Sequence, residues 1–165
     1  MDTKILAQNL RREISLYKEL VAVLQGETRA VVERDYRGLY DVVVHKESIL
    51  GSLEQAGRAR NELTDRLCKE LGLSRGETPL ASIIEEIPCS VDQRDELRGL
   101  CDTLKALRDS AFEINKVNCQ AVRTSLENIN KTLGLLGNLL IKDTYEPTGR
   151  VGSLELKGSR LSEGV

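Results

Sequence analysis

The sequence predicts an all-α fold: an elongated antiparallel bundle of three long helices with a short connecting helix and coiled-coil-like packing. Three observations predict it. Apolar residues recur every three or four positions along three long stretches, which is the period of a helix face. Leu, Glu, Arg and Lys dominate, and all four are good helix formers. Aromatic residues make up only 3%, with 1 Phe and no Trp, whereas sandwiches and parallel sheets draw on aromatic and β-branched runs.

The first stretch, about Thr3 to Glu33, carries Leu6, Leu10, Tyr17, Val21, Leu24, Thr28 and Val31 on one face. Around Glu33, Arg34 and Asp35 the seam loses register. Asp35 is a suitable N-cap for a second helix, so the chain reverses there without a Gly or Pro. The second stretch runs from about Tyr36 to Leu71, with Leu39, Val42, Ile49, Leu53, Ala56, Leu63 and Leu67 on its seam. Lys46 and Arg60 lie on or near that seam. Their stems can pack while their charges reach water or a partner carboxylate. Gly72 suits the left-handed position that closes a helix, and Leu73 can supply the accompanying apolar contact.

Residues 74–90 form a connector. Thr78 and Pro79 read as N-cap and first-turn residue of a short helix reaching about Ile87, with Leu80, Ile83, Ile84 and Ile87 on its apolar side. Pro88 stops it. Ser90 with Gln93 three residues on forms a capping box, which opens the longest helix, about Val91 to Lys142. Its seam runs from Leu97 through Leu104, Ala111, Ile114 and Asn118 to Ile129, Leu133, Leu136 and Leu140. From about Asp143, Pro147 and four glycines break every period. Residues 1–142 therefore form the bundle domain and 143–165 a flexible C-terminal tail.

Composition excludes several function classes. The formal net charge is −2, which does not favour a nucleic-acid partner. A single His, His45, leaves no basis for a His-rich metal centre and makes a catalytic base or triad remote. No residue is assigned a catalytic, metal or cofactor role. His45 itself reads as a surface or seam-flank residue. Cys68, Cys89, Cys101 and Cys119 show no C-x-x-C spacing and read as reduced thiols on helices of a cytoplasmic protein. The charged N-terminus lacks an apolar signal region, and the apolar runs fall short of the ~20 residues a membrane helix needs, so no membrane insertion is expected.

Helix lengths single out one segment. At 1.5 Å per residue, the last helix spans about 78 Å and the second about 54 Å. If the two start level, the last helix overshoots the reversal from near Glu127. That overhang concentrates Ile129, Leu133, Leu135, Leu136, Leu139 and Leu140, with Lys131 and Lys142 its only charges after Glu127. An unpaired helix with that much apolar surface needs cover. The cover is a docked partner, a homodimer seam, or internal packing if the turns lie elsewhere.

The second helix also resembles a known pattern. Leu39 is followed by Lys46, then Ile49 and Leu50, then Leu53 and Glu54, with Glu27 and Asp35 ahead and Arg58, Arg60, Asn61, Glu62 and Leu63 behind. With the Asn- and Leu-rich last helix and the closing run from Thr144, Tyr145 and Glu146 to Pro147, Thr148 and Gly149, the chain resembles the FlgN-like family of flagellar type III export chaperones over roughly residues 3 to 150.

The resemblance implies a cytoplasmic, non-enzymatic chaperone without cofactors. Its clients would be hook-associated proteins of the hook–filament junction, held soluble through their C-terminal segments. The family's client-binding region is the C-terminal helix, which here means Ile129, Leu133, Leu136, Leu139 and Leu140. The family's tail tyrosine, which contacts the export gate, would be Tyr145. The residues alone leave a second reading open, a coiled-coil scaffold or adaptor that only self-associates.

Overall fold

A computed structural model describes residues 2–74 and 78–142; the side chains of Asp2 and of residues 138–142 lie outside the description. Among the described residues there are four helices and no strand: α1 (Asp2–Glu33), α2 (Tyr36–Leu71), α3 (Leu80–Glu86) and α4 (Val91–Lys142). The expected tail from 143 lies outside the described residues. The chain divides into two compact units, Met1–Val122 and Arg123–Val165, and α4 runs from the first into the second.

In the first unit, ion pairs give the helix directions. Glu13 pairs with Arg60 and Glu27 with Lys46, so α1 and α2 run antiparallel. Arg11 pairs with Glu96, and Asn118 reaches Leu24, so α4 runs alongside α1 in the same sense. The Lys46 and Arg60 stems pack on the seam, and their charges meet partner carboxylates. One apolar cluster draws on every helix: Leu6 and Leu10 of α1, Leu63 and Leu67 of α2, Ile83 and Ile84 of α3, and Leu97 of α4. A second joins Leu20, Leu24, Ile49 and Ala111. A helix as short as α3 is not stable alone in water. Burial of Ile83, Ile84 and Ile87 in the first cluster holds it.

The caps explain the boundaries. Gly72 is left-handed at φ 70°, its N–H donates to the Lys69 carbonyl, and the Leu73 N–H donates to Cys68 O at 2.9 Å. This is the doubly bonded Schellman closure, with Leu73 packed against the cluster that contains Cys68. The α1–α2 reversal repeats the motif without glycine. Arg34 takes φ 58°, its N–H reaches Val31 O, and the Asp35 N–H donates to Ala30 O at 2.9 Å. Asp35 closes α1 and also caps α2, its carboxylate accepting from the Gly38 N–H at 3.0 Å. A Cβ on Gly38 would sit 2.2 Å from Asp35 Oδ2, so glycine there lets the cap close.

The capping box forms as expected. The Gln93 N–H donates to Ser90 Oγ and the Ser90 N–H to Gln93 Oε1, both at 3.3 Å. Two expectations are corrected. Thr78 does not cap α3, because its hydroxyl donates to the Ser74 carbonyl. Pro79 is the N-cap instead, extended at ψ 146°, and its carbonyl accepts from Ser82 and Ile83. Cys89 is not helical: it lies between α3 and α4 because Pro88 has already ended the short helix.

Candidate functional site

The seam of α4 has two halves. From Leu97 to Asn118 its positions lie three and four residues apart in alternation: Leu97, Leu100, Leu104, Leu107, Ala111, Ile114 and Asn118. All of these are buried or half-buried. From Cys119 to Leu136 every residue is exposed. The apolar face nevertheless continues, through Val122, Leu126, Ile129, Leu133 and Leu136.

Exposure therefore begins before Glu127, where helix length alone would start it. The spacing supplies the reason. Between Ile114 and Leu126 the steps are four, four and four, a stutter that takes the apolar stripe out of heptad phase. In strict phase the seam would continue through Ala121 and Ser125, which are short. Among the described residues apolar packing thus ends at Ile114, and the last buried residue of α4 is polar.

That residue, Asn118, sits in a layer built from α1, α2 and α4. Its Nδ2 donates to Leu24 O at 2.9 Å and to Glu27 Oε2 at 3.2 Å. The single Thr28 hydroxyl proton faces Asn118 Oδ1 at 2.6 Å, the nearer of two acceptors, with Leu24 O at 3.0 Å. Lys46 Nζ donates to Glu27 Oε1 at 2.7 Å, and both side chains are largely shielded. Buried polar groups so fully partnered avoid the penalty of unpaired burial.

Ile129, Leu133 and Leu136, the expected site residues within the described part, are exposed on one face at 49%, 60% and 50%. The side chains of Leu139 and Leu140, and the whole of Tyr145, lie outside the described residues. Val122 and Leu126 belong to the same face and were not singled out by helix length. Their spacing from Ile129 is the signal that finds them. The only charged residues between Cys119 and Leu136 are Arg123, Glu127 and Lys131. At about 100° per residue Glu127 and Lys131 fall on the far side of the helix and Arg123 on its flank. The result is an uncharged apolar stripe with its charges on the flank and behind it. It can bury against an amphipathic helix, and it carries no group suited to acid–base or nucleophilic chemistry.

The remaining candidates hold structural places. His45 is exposed on α2. All four cysteines are free thiols. Cys68 is buried and Cys119 exposed, and burial pushes the half-buried Cys101 thiol above its ordinary range despite nearby Arg60. No helix among the described residues is long and apolar enough to cross a membrane.

Comparison with known proteins adds the family. No curated protein and no solved structure matches the chain significantly. A family model described as FlgN protein matches residues 1–152. That match spans α1 to α4, including the stretch of α2 with Lys46 and the whole exposed face of α4. The chain therefore belongs to the FlgN family of flagellar export chaperones, a family that binds hook-associated proteins.

Proposed function

We propose that this chain is a cytoplasmic export chaperone that binds hook–filament junction proteins through the apolar face of α4. It holds their C-terminal segments soluble until export. The observation that carries it is the uncharged stripe of Val122, Leu126, Ile129, Leu133 and Leu136, exposed on a continuous helix. Leu139 and Leu140 extend the same site. Fully burying five such side chains contributes on the order of 5–10 kcal/mol before ordering costs. The packed half of α4 supplies the helix nucleus that an isolated segment would lack. The chaperone domain in this reading is 1–142, with coiled-coil-like packing, and the tail from 143 carries Tyr145 to the export gate.

The test is the double variant Ile129→Asp, Leu133→Asp, assayed against purified hook-associated proteins. Both residues are exposed, so the melting temperature stays near wild type while affinity falls at least tenfold. Undiminished affinity overturns the assignment. The scaffold reading has weaker support, because the exposed stripe covers only about two heptads, fewer than the three or four that mark a coiled coil.

A further inference from the structure

Asn118 stands out on α4. Only three described residues of that helix are buried, Leu97, Ala111 and Asn118, and Asn118 alone is polar. It is 3% exposed, between the 1% of Leu24 and the 4% of Ala111 in the neighbouring core. It also marks the point where the apolar stripe changes phase. Without it the apolar positions of α4 would continue unbroken from Leu97 to Leu136, the longest such seam in the chain.

A seam of that length has two ways to be covered. It can pack on the α1–α2 hairpin of its own chain, or it can pair with α4 of a second copy. Leucine at position 118 would suit an α4–α4 seam. Asparagine does not, because its amide needs partners wherever it is buried. The hairpin supplies them all: Leu24 O and Glu27 Oε2 for the two N–H groups, and the Thr28 hydroxyl for the carbonyl. All three partners lie on α1, and Lys46 from α2 holds Glu27 through its other carboxylate oxygen. Pairing between two α4 helices would offer the amide at most its own counterpart across the dyad.

We propose that Asn118 is a specificity residue that commits α4 to the hairpin of its own chain and keeps it from pairing with a second copy. One buried polar residue on an otherwise apolar seam is a known way to choose among helix partners. The role stands whatever the exposed half of α4 binds, and it leaves that half unpaired in the free protein.

The full-length chain tests this by light scattering across a concentration series. Wild type runs as a monomer. In Asn118→Leu the apparent mass doubles over the same range, and amides of residues 119–136 gain protection from hydrogen exchange. Thr28→Val is the control, because it also breaks the layer but leaves the α4 seam polar at 118. It unfolds more easily than wild type and stays monomeric. A wild-type dimer, a monomeric Asn118→Leu, or association of Thr28→Val to the same degree overturns the proposal. So does an Asn118→Leu chain with no helical signal, since the amide would then be required for folding itself.

Discussion

Arg60 Nε donates to Glu13 Oε1 at 2.7 Å across the α1–α2 interface, and only 5% of the Glu13 side chain is exposed. Arg60 keeps 24% of its side chain in solvent. The pair is thus asymmetric, with a carboxylate that water cannot easily serve and a guanidinium that it can. Removing Arg60 strands the buried charge. Arg60→Ala should lower unfolding free energy by about 2–4 kcal/mol, somewhat under the range for fully buried pairs. Replacing both, Glu13→Leu with Arg60→Met, should restore stability to within about 1 kcal/mol of wild type. Urea unfolding of wild type, Glu13→Leu, Arg60→Met and the double variant in a double-mutant cycle measures the coupling. Additive losses would show that the contact does not stabilise the hairpin.

Arg34 holds a left-handed conformation at φ 58° where the chain turns from α1 into α2. A side chain there costs roughly 1–2 kcal/mol, which glycine avoids, although its freer unfolded chain offsets part of the gain. Arg34 is exposed. Arg34→Gly should therefore raise stability by about 0.5–1 kcal/mol. A thermal melt reads the change, and a fall in melting temperature would mean that the arginine side chain contributes more than its backbone costs.

Arg98 grips Glu85 with two parallel bonds, Nε to Oε1 at 2.7 Å and Nη2 to Oε2 at 2.5 Å, tying α3 to α4. The Arg98 hydrogen bonds hold the Glu85 carboxyl below its ordinary value of 4.5, and the same pair pushes the Arg98 guanidinium up. A carboxyl lowered by folding stabilises the native state above its unfolded pKa, and that contribution disappears as pH falls through the lowered value. Glu85→Gln should therefore melt below wild type at pH 7, with the gap closing as the medium is acidified below about pH 4.5. Melting curves from pH 3 to pH 7 check this. A gap that is constant with pH would assign the loss to packing of α3 rather than to charge.

Much of the fold is legible because its signals are local. The Gly72 and Leu73 closure and the Ser90 and Gln93 box each depend on contacts within five residues, so residue type and spacing suffice to find them. Arg34 is different. Arginine has no preference for the left-handed region, and the reversal is set by the packing of α1 on α2 and by the double use of Asp35. Thr78 and Pro79 misled for a related reason. Both suit a helix start, and only the hydroxyl bond to Ser74 shows which one holds it. Lys46 and Arg60 read as seam cations, but nothing in their spacing names Glu27 and Glu13 as the partners.

The site divides along the same line. Periodicity alone shows that α4 is one long amphipathic helix and that Ile129, Leu133 and Leu136 share its apolar face. It cannot show which apolar residues are covered, because Leu104 and Leu133 have the same local pattern. Coverage depends on other helices, remote in sequence, that line the seam as far as Asn118. Residue order therefore determined the helices, their caps and the existence of an apolar face on α4. Tertiary structure decided where that face passes from core to surface, because burial depends on neighbours that no local spacing encodes.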